Sequence, residues 1–389
     1  MTGAPARGFP LAEFVARAER AQALMTGAEL DALFVTSEQH VRWFTGFDSQ
    51  FWASPTRPWF VIVPREGGLI AVIPEIGGPV MAKTWVDDIR TWPAPVPEDD
   101  GVSLVCEALS SLSRRFGRIG AEMGPEMVLR MPAADFLRIG ETIAPLGFAD
   151  GTPVLRRLRG VKSPAEIDRI RHVCQLTSEA FLALPGKLSA GMTEWEACRE
   201  MRIEVLRRGA DSSPYMMGVA GPGGYDNIIM GPTQRVIETG DILIIDTGTT
   251  FDGYYCDFDR NFAFGAPDDA ARRAHEVVWR ATQAGIDTAR PGVTTTDLWR
   301  AMAGVLEDAG SLGNNVGRMG HGLGMQLTEW PSNRPGDETE LVPGMVLTIE
   351  PGMEFAPGKM MVHEEDIAIT QDGCELLTIR AGREMPVVA

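Results

Sequence analysis

The chain has 389 residues, 44% hydrophobic and 23% charged, a globular profile whose length calls for two domains rather than one core. A net charge of −17 argues against sequence-independent nucleic-acid binding, because a phosphate backbone needs Lys and Arg to displace its counterions. Five scattered cysteines without a C-x-x-C, no continuous apolar leader and no stretch approaching ~18 apolar residues exclude a disulfide scaffold and a membrane span, and make the cytoplasm the expected location.

Leu11, Phe14, Ala18, Ala21 and Met25 recur at helical spacing over 9–29, and residues 31–36 then read as a short buried strand. Residues 58–63 and 68–73 form two further strand candidates around Pro64-Arg-Glu-Gly, a hairpin turn. The stretch 102–116 reads as a helix leading into Gly117-Arg-Ile-Gly-Ala-Glu. Together these predict a mixed α/β domain over 1–154. Within it, 41–52 (Val-Arg-Trp43-Phe-Thr-Gly-Phe-Asp-Ser-Gln-Phe-Trp52) is dense in aromatics, which suit a domain core.

Lys162-Ser163-Pro164-Ala-Glu166 carries a capping box, with Ser163 as N-cap, Pro164 at the first helical position and Glu166 three residues on. A long helix is expected to start there and to open a second domain, 155–389, behind the basic joint 155–162.

The densest chemistry lies in Asp246-Thr-Gly-Thr-Thr-Phe-Asp252-Gly253-Tyr-Tyr-Cys-Asp257-Phe-Asp259-Arg260, after the apolar run Ile242-Leu-Ile-Ile. Asp252-Gly253 favours a two-residue type I′ turn, which pairs Phe251 with Tyr254, Gly248 with Asp257 and Asp246 with Asp259. Alternation then directs Asp246, Asp257 and Asp259 to one face. Unpaired carboxylates crowded there would cost several kcal/mol each if buried, a penalty that a divalent cation removes. A solvated acidic face is the competing reading, and the apolar run before Asp246 speaks for burial. Downstream come His321 among glycines, Glu350 closing the strand Val346-Leu-Thr-Ile, and Glu364-Glu365-Asp366 opening another.

The ordered set Asp246, Asp257, His321 in Gly-His-Gly-Leu-Gly, Glu350 in Ile-Glu-Pro-Gly and Glu364 resembles that of the pita-bread metallopeptidases, which include methionine aminopeptidase, aminopeptidase P, prolidase and the non-peptidase creatinase. The resemblance spans nearly the whole chain. It implies an α+β protein, with a C-terminal pita-bread catalytic domain behind a smaller N-terminal creatinase-like α/β domain. By position it implies two divalent metal ions, Mn, Fe, Co or Zn, with Asp257 and Glu364 shared, Asp246 on one ion, and His321 with Glu350 on the other. Glu364 aligns better than its neighbour Glu365, and Glu350 takes the role of proton shuttle. A small-molecule or dipeptide substrate, most simply an Xaa-Pro dipeptide, and a homodimer are the implied partners; nucleic acid and membrane are not. Trp43 or Trp52 would line the pocket from the N-terminal domain, enclosing a small or cationic group by cation–π contact.

Two histidines usual in the family are replaced here, by Ile229 and by Thr328. Glu329, His363 or water would then have to protonate the leaving group. Asp259 stands where the family has threonine, and pairing with Arg260, itself a substrate-side candidate, is its simplest role. A non-peptidase activity on the same scaffold, creatinase-like or dimethylsulfoniopropionate lyase-like, is the alternative, and a catalytically silent binding protein is a third.

Overall fold

In the computed structural model, which describes residues 3–313 and 316–388, Ala6–Arg159 forms one compact unit and the chain from Gly160 onward a second. The first opens with α1 (Leu11–Gly27), whose buried Phe14, Ala18, Ala21 and Met25 share one face. Leu11 sits in the first turn and is exposed. There follow β1 (Ala32–Val35), α2 (Glu38–Thr45), β2 (Phe60–Pro64), β3 (Ile70–Pro74), α3 (Gly78–Met81), β4 (Asp88–Trp92), α4 (Val102–Ser110), β5 (Arg118–Ala121), α5 (Ala133–Thr142) and β6 (Gly147–Asp150).

The strands make one mixed sheet in the order β4-β3-β2-β1-β5-β6. The expected hairpin is β2–β3, with Phe60 opposite Val72. Phe34, Phe60, Ile62 and Val72 pack with Val105 and Leu109 of α4 and Phe136 and Ile139 of α5 into a single core. The helix expected over 102–116 stops at Ser110, and the amides of Arg115, Phe116 and Gly117 instead donate to the buried Asp31 carboxylate. The division between units falls at Arg159, within α6 (Thr152–Gly160), rather than after residue 154, because that helix runs on as part of the first unit.

The second unit begins with α7 (Pro164–Ala183), and its capping box is formed: Glu166 N donates to Ser163 Oγ, and Ser163 N to the Glu166 carboxylate. Next come α8 (Glu194–Arg207), β7 (Ser212–Pro222), β8 (Asp241–Phe251), β9 (Tyr254–Tyr255), β10 (Phe258–Phe264), α9 (Asp269–Thr288) and α10 (Thr295–Asp308). The remainder is β11 (His321–Gly322), β12 (Glu329–Ser332), β13 (Val346–Ile349), β14 (Gly352–Ala356), β15 (Lys359–Val362), β16 (Glu365–Ile369), β17 (Cys374–Leu376) and β18 (Val387–Val388).

One sheet has the order β18-β10-β8-β7 with β9 on β8, a second β12-β11-β13-β16-β17, and β14 pairs with β15. Ile242 and Ile244 of β8 share a core with Val278 of α9, Met302 of α10, and Leu347 and Ile349 of β13. Strand alternation puts Asp246 on the same face as those two isoleucines. The apolar run therefore ends in a carboxylate held at the edge of the core. Among the described residues no helix is long and apolar enough to cross a membrane.

Candidate metal centre

Asp252 and Gly253 have φ of 50° and 82°, the two positive values a type I′ turn requires, and Phe251 lies opposite Tyr254. The register then runs without slip: Cys256 N donates to Thr249 O, Phe258 faces Thr247, and Asp259 faces Asp246. Asp257 sits in the short break between β9 and β10 and is 5% exposed, so the acidic face is buried rather than solvated.

His321 reaches this face from β11. Its backbone N donates to Thr348 Oγ1 of β13, and a Cβ on the preceding Gly320 (φ 131°) would lie 2.2 Å from Thr348 O, so the close approach requires glycine. Nδ1 is 2.9 Å from Gly322 O; because a carbonyl only accepts, Nδ1 carries the proton and Nε2 presents its lone pair. Nε2 lies 3.5 Å from Asp257 Oδ2 and 3.7 Å from Glu350 Oε1. Burial, reinforced by the Arg318 charge, pulls the imidazole pKa down to about 3, so it stays neutral among acids.

Glu350 and Glu364 flank the β13–β16 pair, in which Ile349 faces Glu365. They leave the paired strands side by side. One ligand atom each from Asp257, His321 and Glu364 lie within 4.8 Å of one another. Glu365, one residue on, points to the other face, where it accepts from Arg260 Nη2 (2.9 Å), Arg380 Nη1 (3.0 Å) and Ala381 N (3.1 Å).

Desolvation, with mutual repulsion of the carboxylates behind it, drives the acids the opposite way from the histidine. Burial raises Asp246 to about 6 and Glu350 to about 7, and Asp257, Asp259 and Glu364 well above the usual carboxylate range. Asp246 Oδ1, Asp259 Oδ2 and Glu364 Oε1 are buried without a hydrogen-bond partner among the described residues. The orphaned oxygens of Asp246 and Glu364 beside a neutral imidazole fit hard or borderline divalent cations, which would satisfy both.

Several residues around this set carried no signal that the sequence reading used. Tyr215 OH donates to Asp246 Oδ2 at 3.1 Å. Asp366 Oδ2 accepts from Asp257 N at 3.0 Å and from Cys174 Sγ at 3.2 Å, fixing the backbone under Asp257. Both come into range only through the pairing of β7 on β8 and of β16 on β13.

Four candidates have partners within the protein. Arg260 does not pair with the Asp259 carboxylate: its guanidinium donates to Glu365, to Ile379 O, to Glu364 O and to the main-chain O of Asp259. It is thereby a brace behind the site rather than a substrate contact. His363 faces away from Glu364, with Nδ1 3.2 Å from Thr282 Oγ1 and Nε2 3.2 Å from Arg380 Nη1. Glu329 is engaged by Lys162 Nζ at 3.2 Å and by Gln326 N at 3.1 Å. Trp43 is 1% exposed in the N-terminal core, its ring 4.8 Å from the Arg17 guanidinium carbon, so it lines no pocket. Trp52 is half-buried, with Arg130 over its ring at 4.9 Å.

The model of metallopeptidase family M24 matches residues 168–371, just over half the chain. The chain belongs to that family. The creatinase/prolidase N-terminal domain matches residues 17–161. A probable dipeptidase PepE from Mycobacterium tuberculosis is 29% identical over 373 residues, 94% of this chain and 95% of the relative. Among solved structures, dipeptidase PepE from Mycobacterium ulcerans superimposes with a TM-score of 0.83 at 28% identity, covering 98% of this chain and 99% of that one. Recombinant prolidase from Thermococcus sibiricus, at 23% identity, shares the fold with a TM-score of 0.87 over 98% and 100% of the two chains. Within this M24 chain Ile229 is 83% exposed, and Thr328 accepts from Arg318 Nη2 at 3.3 Å.

Proposed function

We propose that the protein is a metal-dependent dipeptidase that hydrolyses Xaa-Pro and related dipeptides. The observation that carries this reading is the buried acid cluster with its three orphaned oxygens around a neutral imidazole, in an M24 chain whose full-length relatives are named dipeptidases. In this reading Asp257 and Glu364 would be shared between two ions, Asp246 would hold one, and His321 with Glu350 the other. Divalent cations held there would supply Lewis acidity to the amide carbonyl and lower the pKa of the attacking water.

The protein groups do the rest. Nδ1–H donation to Gly322 O fixes the His321 ring, so Nε2 is held ready without an ordering cost. Tyr215 occupies Oδ2 of Asp246 and leaves Oδ1 for a cation. Glu350 is only partly buried, its side chain 20% exposed, so water can reach it. Its carboxylate takes the proton of the attacking water and returns it to the departing nitrogen. The reading takes the protein as a cytoplasmic homodimer, so sedimentation should give one species near twice 42.3 kDa.

A second reading rests on Ile229 and Thr328, neither of which offers an imidazole. It assigns the scaffold to non-peptidase chemistry on a small substrate, creatinase-like or lyase-like. Proline release from a panel of Xaa-Pro dipeptides by the Mn²⁺-reconstituted protein, beside Asp257→Ala, separates the two. Release that disappears in the variant supports the dipeptidase. No release from fully loaded protein removes it and favours the second reading.

A further inference from the structure

One buried carboxylate of the acidic face has no role in the ligand set assigned above. Asp259 occupies a position where the resemblance places threonine, and it is 1% exposed. Burial takes away its water, so the side chain must find a donor or a cation within the protein. The neighbouring guanidinium is not that partner: Arg260 donates to the Glu365 carboxylate and to the main-chain oxygens of Asp259, Glu364 and Ile379. Asn261 Nδ2 reaches Asp259 Oδ1 only at 3.4 Å, while its bond to Val362 O is 2.6 Å. Asp259 Oδ2 is buried with no hydrogen-bond partner among the described residues.

The strand register aims this carboxylate at the centre. Asp259 lies directly opposite Asp246 in the β8–β10 pair. Side chains so opposed in an antiparallel pair stand on one face, with Cβ atoms about 5 Å apart. The charge of Asp259 acts on Glu364, and those of Asp246 and Glu350 act on Asp259 in turn. At Asp246, Tyr215 OH takes Oδ2, and Oδ1 has no partner among the described residues. The facing pair therefore buries two acids, each with one unsatisfied oxygen. Ionised together they repel, and a cation that both oxygens ligate reverses the sign of that interaction.

We propose that Asp259 is a further metal ligand, serving the ion assigned to Asp246. The inference rests on the metal assignment of the reading above and deepens it. Four of the five ligands assigned there are carboxylates, whose charges balance two doubly charged ions. Asp259 adds a fifth negative charge, which holds the cations more tightly than threonine, with a hydroxyl and no charge, can. It also makes the donor set richer in oxygen, with five carboxylates to one imidazole. Such a set favours Mn²⁺, which takes octahedral oxygen coordination, over Zn²⁺, which is content with four ligands. Asp259 is thus a determinant of which metal the centre keeps.

The test measures Mn²⁺ and Zn²⁺ affinities by calorimetry for wild type, Asp259→Asn and Asp259→Thr, with the electron paramagnetic resonance spectrum of bound Mn²⁺ beside them. The asparagine keeps the size of the side chain, and the threonine is the residue that the resemblance places there, so either variant decides if the other fails to fold. Mn²⁺ affinity should fall by roughly 10- to 100-fold. Zn²⁺ affinity should fall less, and the Mn²⁺ spectrum should change. Unchanged Mn²⁺ affinity, an unchanged spectrum, or equal weakening of both metals overturns the inference, the last because a merely displaced Asp246 would penalise the two ions alike. Wild type that binds no Mn²⁺ overturns the metal-centre reading and this inference together. Wild type that binds Mn²⁺ beside variants that bind it equally well overturns this inference alone.

Discussion

The two units each bury carboxylates, and treat them in opposite ways. In the N-terminal unit Asp31 accepts from the amides of Arg115, Phe116 and Gly117. Glu122 accepts from Thr36 N (2.7 Å), Ser37 N (3.1 Å), the Thr36 and Ser37 hydroxyls, and His40 Nδ1. Burial alone would raise both pKa values, but hydrogen bonds from Gly117, Phe116 and Arg115 at Asp31, and from His40 at Glu122, outweigh it and hold each below the ordinary carboxylate value. In the catalytic unit, burial wins at Asp246, Asp257, Asp259, Glu350 and Glu364, and three of their oxygens have no protein donor. The N-terminal acids are supplied with protein donors, and several oxygens of the catalytic unit's acids are not.

That contrast breaks first at single residues. Asp257→Ala should remove a shared ligand and cut activity by more than about a hundredfold, with metal content falling alongside. Its metal-free form should unfold no earlier than the metal-free wild type, since the change relieves an unsatisfied charge. Glu122→Ala should do the reverse. Stripping the acceptor from Thr36, Ser37 and His40 should cost about 3 kcal/mol in urea unfolding with metal content intact. A metal-free Asp257→Ala protein destabilised as much as Glu122→Ala would erase the distinction.

Chelation is the next largest effect. If the loaded protein is kept at a hundred times its Kd, removing the ions should cost about 2.7 kcal/mol per site and lower Tm accordingly.

The pH response should also divide the units. In the metal-free protein Asp246 is raised from 3.8 to about 6 and Glu350 from 4.5 to about 7. Their stabilising contribution is whole below the unfolded values and is lost as pH rises through about 6 to 7, on the order of a few kcal/mol together. Asp31 and Glu122, being lowered, contribute above the ordinary carboxylate range and lose their contribution as pH falls through their folded values. Metal loading near pH 6 should therefore release protons and restore stability that rising pH removes, measurable by calorimetry in buffers of different ionisation enthalpy. Proton uptake on loading would contradict the raised values. The smallest effect belongs to Tyr215→Phe, which frees Asp246 Oδ2 and should weaken metal affinity by about 1 kcal/mol.

What was legible in the sequence follows from local rules. The Asp252-Gly253 turn fixes one register, so the positions facing Asp246 and Thr249 could be counted before any coordinates. Alternation puts Glu364 and Glu365 on opposite faces but does not say which faces Asp246, and that choice came from the resemblance. Ser163 and Glu166 announce a helix because both halves of the box lie within one turn. Partners far apart in the chain were not legible. Arg260 finds Glu365, 105 residues away, and nothing near Arg260 marks that choice over its neighbour Asp259. Trp43 stacks under Arg17 of α1, a contact that depends on how α1 meets α2. Helix α4 ends early because Asp31 collects the amides that would have continued it.

The central claim is that the orphaned carboxylates hold two divalent ions. Its most direct test is the metal content per chain after Mn²⁺ loading and exhaustive desalting, for wild type and Asp257→Ala side by side. The account predicts two ions per wild-type chain and a marked loss in the variant. Wild type that emerges without metal, or a variant that retains as much as wild type, would contradict it.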